Sequence, residues 1–102
     1  MIKIFLCCAA GMSTSMVVNK MRQAAEASGV AAEINAYSIS AFETELKKND
    51  VCLVAPQVKY KFAEFSKRCE EENVACGQID MMQYGMMKGK EILQQAIDLK
   101  AS

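Results

Sequence analysis

Ile2-Lys3-Ile4-Phe5-Leu6-Cys7-Cys8 runs directly into Ala9-Ala10-Gly11-Met12-Ser13-Thr14-Ser15. The first seven residues form a short, nearly unbroken apolar run, the pattern of a buried strand. From Ser13 the period changes: Val17, Met21, Ala24 and Ser28 recur at helical spacing, with Asn19, Arg22, Gln23 and Glu26 on other faces. Ser13 suits the N-cap of that helix and Gly29 its stop. A strand that turns into a helix within a few residues is the first half of a βαβ unit.

The rest of the chain repeats the alternation. Ala32 to Tyr37 mixes small or apolar residues with polar ones, which suits a half-exposed edge strand. Ser40-Ala41-Phe42-Glu43 has capping-box spacing and predicts a short helix ending near Lys48. Val51-Cys52-Leu53-Val54-Ala55 is wholly apolar, as a central parallel strand covered on both faces should be. Pro56 and Gln57 lead into a helix with Val58, Phe62, Phe65 and Cys69 along one face. Val74 to Ile79 predicts a fourth strand, Asp80 to Lys88 a methionine-rich loop, and Gly89 to Ala101 a last helix burying Ile92, Leu93, Ala96 and Ile97. The expected fold is α/β: one doubly wound domain spanning residues 1–102, with helices on both faces of a four-stranded parallel sheet ordered 2-1-3-4. Such folds hold ligands beyond the carboxyl ends of the strands, beside the first strand. Cys8 lies at that end.

Composition narrows the function. Twelve basic residues balance twelve acidic ones, so no surplus charge draws the chain to nucleic acid or to an anionic membrane. No segment is long and apolar enough to span a bilayer and no targeting signal is legible, so a cytoplasmic location is expected. Five cysteines without a regular framework or a CxxC pair argue against a disulfide scaffold, and no metal site is expected from their spacing. Histidine is absent, which leaves cysteine as the prime group for covalent chemistry.

The turn after Cys8 has the composition of an anion site. Ala9, Ala10 and Gly11 let backbone amides close around a ligand. The helix behind them adds unpaired amides and the positive end of its dipole. Ser13, Thr14 and Ser15 add hydroxyls. The same field favours negative charge on the Cys8 sulfur and raises its nucleophilicity. Against this, a buried cysteine is commonly a small hydrophobe, as expected for Cys7, Cys52, Cys69 and Cys76. A hydroxyl-rich turn can also merely cap a helix. Loop chemistry favours a working Cys8 without deciding it.

Two related phosphate motifs fail. The GxxxxGK[ST] loop is absent. The low-molecular-weight tyrosine phosphatases, which share the expected fold, have a cysteine, five residues, then an arginine and a serine or threonine; here Thr14 stands in the arginine's place, with Ser15 after it. Without a guanidinium fork on the transition state, hydrolysis loses orders of magnitude in rate. No aspartic acid is obviously placed to protonate a leaving group either; Asp80 alone stays open on sequence.

The segment Phe5 to Ser15, with cysteine, two small residues and then Gly-Met-Ser-Thr-Ser, resembles the active loop of enzyme IIB in the lactose/cellobiose branch of the sugar phosphotransferase system. The resemblance continues through Ala55-Pro56-Gln57-Val58, Tyr60, Ile79-Asp80 and Tyr84-Gly85. It implies a phosphoryl carrier without cofactor. Cys8 would take phosphate from a phosphohistidine on a IIA partner and hand it to a sugar held by the membrane IIC partner. Cellobiose or another β-linked disaccharide is the implied sugar. The residues around the phosphate would be Ala9, Ala10, Gly11, Met12, Ser13, Thr14 and Ser15. Gln57 and Tyr84, on loops at the same sheet end, could support them. The alternative is a phosphatase-like hydrolase using the same cysteine. A monomer is expected.

Overall fold

The computed structural model describes residues 1–9 and 12–101, with Met12 and Ser13 described as backbone only. Four strands, β1 (Ile2–Cys8), β2 (Ala32–Ser38), β3 (Val51–Val54) and β4 (Ala75–Gln78), form one parallel sheet in the order 2-1-3-4. The helices are α1 (Met12–Ser28), α2 (Phe42–Leu46), α3 (Phe62–Glu71), α4 (Met81–Gly85) and α5 (Gly89–Ala101). No described helix is long and apolar enough to cross a membrane.

Burial explains the strand order. Ile4 to Cys8 and Val51 to Val54 are buried without interruption, because both strands have neighbours on each side and helices on each face. On β2 only Ile34 is buried, as its half-polar sequence requires of an edge. Two faces follow from strand alternation. Leu53 and Gly77 are register partners on the face covered by α5, where a methyl on Gly77 would meet Leu99. Phe5, Cys52 and Cys76 share the opposite face, under α2 and α3. There Phe42 and Phe65 stack with centroids 3.9 Å apart, and Phe5 lies 6.0 Å from Phe42.

Both outer strands have a backbone acceptor covered by a side chain. Arg22 donates to the Ile34 carbonyl from Nε at 3.0 Å and Nη2 at 2.6 Å. Gln95 Nε2 donates to the Gln78 carbonyl at 2.9 Å.

Several local expectations are corrected. α1 already includes Ser13, since it begins at Met12. Its inner face is Val17, Val18, Met21 and Ala25, while Ser28 is exposed. Gly29 ends the helix at φ +70°, where Val30 N donates to Ala25 O. The Ser40–Glu43 capping box does not form. Ser38 caps a 3-10 turn at Ile39–Ala41, α2 starts without a side-chain cap, and Glu43 is instead gripped by Arg68 at 2.6 and 2.9 Å. That grip holds the Glu43 carboxyl below the usual carboxylate range. The helix expected from Pro56 is divided: a 3-10 stretch covers Pro56–Lys61, with Val58 out of helical geometry, before α3 begins. The expected loop from Asp80 contains α4, whose N-cap Asp80 accepts the Gln83 amide at 3.0 Å.

Candidate active site

Cys7 and Cys8 are adjacent on a strand, so their side chains take opposite faces. Cys7 is fully buried, with its carbonyl accepting the Ala55 amide at 2.9 Å. Its sulfur lies beside that of Cys52 in the core under α3. Cys8 is the last residue of β1, between β2 and β3, and is 4 % exposed. Its thiol donates to the Tyr37 carbonyl at 3.5 Å. Ala9 beyond it is exposed. The N-terminus of α1 follows three positions later, so the positive end of a 17-residue helix lies toward this edge.

Of the loop residues singled out in sequence, Ala10 and Gly11 lie outside the described residues, as do the side chains of Met12 and Ser13. Ser15 is exposed. Thr14 is fully buried, and its Oγ1 is 2.5 Å from the Tyr84 hydroxyl. Gln57 Nε2 donates to the same hydroxyl at 3.0 Å. Three residues from the carboxyl ends of three strands are thus joined through one phenol: Thr14 after β1, Gln57 after β3 and Tyr84 after β4. Tyr84 is 8 % exposed on α4, while Gln57 is exposed. The sequence reading placed both on loops at this edge but did not connect them to Thr14. The Thr14 hydroxyl is engaged in this tie.

Removing the phenolic oxygen should loosen the tie. Tyr84→Phe leaves Thr14 Oγ1 buried without this partner, a cost of about 1–3 kcal/mol. A fall in the thermal midpoint of several degrees is expected. Adding Thr14→Val, which removes the orphaned oxygen, should recover part of the loss.

The remaining cysteines stand apart from this edge. Cys52 of β3 and Cys76 of β4 are register partners, and Cys69 of α3 packs over them. Hydrogen bonding with Cys69, Cys7 and Cys76, together with burial, pushes the Cys52 thiol well up. The thiols of Cys52 and Cys69 donate toward Cys76, which pulls its thiol down. Asp80, the candidate acid, is occupied in capping α4.

Residues 3–95 match the family model described as PTS system, Lactose/Cellobiose specific IIB subunit. The chain belongs to this family. It is 39 % identical over 97 residues to the oligo-beta-mannoside-specific EIIB component of Bacillus subtilis, covering 95 % of this chain and 94 % of that protein. It is 42 % identical over 101 residues to the galactose-specific EIIB component of Lactococcus lactis subsp. cremoris, covering 94 % of each. Its fold matches the solution structure of the cellobiose-specific phosphotransferase IIB component from Borrelia burgdorferi with TM-score 0.82 and 30 % identity, over 98 % of this chain and 92 % of that one. IIB components are phosphotransferases of sugar uptake. The names of these three relatives carry three different sugar types at comparable likeness, so overall identity does not select the sugar.

Proposed function

We propose that this IIB chain carries a phosphoryl group on the Cys8 sulfur between a IIA phosphohistidine and a sugar, most plainly a β-linked disaccharide, held by a IIC permease at the cytoplasmic face of the membrane. The observation that carries the reading is the position of Cys8: it ends a central strand four residues before the first residue of α1. A dianionic phosphoryl group on that sulfur would lie toward the positive, N-terminal end of α1.

The two transfers balance without a cofactor. In the first, sulfur attacks phosphorus, the S–P bond forms and the P–N bond breaks. The electron pair returns to the imidazole, and the thiol proton ends on that nitrogen. In the second, a sugar hydroxyl oxygen attacks phosphorus and the S–P bond breaks. The hydroxyl proton restores the Cys8 thiol. No arginine follows the loop to stabilise attack by water, which suits a carrier that must keep its phosphate until a partner arrives. Closure of the site by each partner would exclude solvent during transfer.

The test is transfer itself. Incubation with phosphoenolpyruvate, the general phosphotransferase proteins and a matching IIA should add a single phosphate, read by intact mass. Steady release of phosphate from p-nitrophenyl phosphate, abolished by Cys8→Ser, would instead favour the phosphatase-like alternative.

A further inference from the structure

Cys52, Cys69 and Cys76 come from β3, α3 and β4, and their sulfurs all lie within 4.8 Å of one another. Cys52 and Cys69 are fully buried, while Cys76 is half-buried. Phosphoryl transfer at Cys8 makes no use of them. Three aliphatic residues would fill the same space, whereas three converging sulfurs make a ligand set. Thiols ligate as thiolates, and soft sulfur selects thiophilic ions over magnesium or calcium.

We propose that Cys52, Cys69 and Cys76 form a binding site for a thiophilic divalent cation of the zinc type, distinct from the phosphoryl-transfer edge. The geometry is close to what such an ion needs. With Zn–S bonds of about 2.3 Å, the sulfurs of a tetrahedral site stand about 3.8 Å apart. Closing the cluster to that spacing takes at most about 1 Å of side-chain adjustment. Charge selects the valence. Three thiolates around a divalent ion leave one net negative charge, but around a monovalent ion they leave two, and each charge away from water is costly. Half-buried Cys76 gives the ion a route in. The fourth position falls to water on that side. Such an ion would pin α3 to the two strands beneath it.

The test uses the reduced, full-length chain in a Cys8→Ser background, so that the loop thiol cannot contribute. Zn(II) is titrated against a chromogenic chelator, and Cd(II) is followed by its sulfur-to-metal charge-transfer absorption. One equivalent of each should bind, zinc should raise the thermal midpoint, and a chelator should reverse that rise. Adding Cys76→Ser should weaken binding at least ~10-fold. Equal binding with and without Cys76→Ser overturns the proposal. X-ray absorption of the cadmium form, with the cluster unmutated, does not depend on how Cys76→Ser folds. Three or four sulfur neighbours support the site and fewer than three overturn it.

Discussion

Cys8→Ser is expected to leave a folded chain whose phosphate uptake from a loaded IIA falls by at least ~10³-fold, because an alcohol is not appreciably ionised at neutral pH where a thiol is activated. That is about 4 kcal/mol on the barrier. Stability should change little. The serine hydroxyl can donate to the Tyr37 carbonyl as the thiol does, and the side chain sits at the end of its strand. Cys7→Ser should behave in the opposite sense. It puts a hydroxyl into a fully buried position under α3, at a cost of about 1–3 kcal/mol, while uptake per folded molecule persists. Intact-mass phosphorylation and thermal melts of the two variants separate the effects. Uptake lost in Cys7→Ser but kept in Cys8→Ser would move the reaction to the neighbouring sulfur.

The largest loss of stability is expected from Gly89→Ala. Gly89 is buried at the start of α5, and a methyl there would sit 2.6 Å from both the Lys20 carbonyl oxygen and the Met21 amide nitrogen, and against the Lys20 carbonyl carbon. These are backbone atoms of α1 and cannot rotate away. The two helices must separate, at the upper end of overpacking costs, about 3 kcal/mol. The better helix propensity of alanine returns at most ~1 kcal/mol of this. The thermal midpoint should therefore fall by roughly 8 °C or more. Gly77→Ala should be milder, because its methyl meets the ends of the Leu99 and Gln95 side chains, at 2.5 and 3.0 Å. Gly85→Ala meets nothing within 4 Å and should be neutral or slightly stabilising. Finding Gly89→Ala as stable as Gly85→Ala would show that α1 and α5 can part without penalty.

The order of the sheet was legible because burial writes itself into composition. Val51 to Val54 could only be central, and Ala32 to Ser38, with Glu33 and Asn35 inside it, could only be an edge. Cys8 was legible because it joins a strand to a Gly/Ser/Thr turn. Local capping was ambiguous. Ser40–Glu43 and Asp80–Gln83 have the same spacing, yet only Asp80 caps a helix, because Ser40 lies inside the 3-10 turn that Ser38 caps, while Arg68 takes Glu43. The second spacing was the available sign of α4, but five residues are too few to show a helical period. The Thr14–Tyr84 bond joins positions 70 apart, and no local pattern announces it. The thiol cluster was hidden in the same way. The spacing of Cys52, Cys69 and Cys76 matches no ligand motif, and only the parallel register of β3 with β4 sets two of the sulfurs side by side.

Arg22 and Gln95 have a consequence for crowding. A parallel sheet of four strands has two open margins, each a template on which a foreign strand could grow. On this protein, a guanidinium already occupies the Ile34 carbonyl on one margin and an amide the Gln78 carbonyl on the other. An intruding strand that paired across either of these carbonyls would have to displace a formed hydrogen bond there. Molecules meeting edge to edge therefore lose, at these two carbonyls, part of what zipping together would otherwise gain.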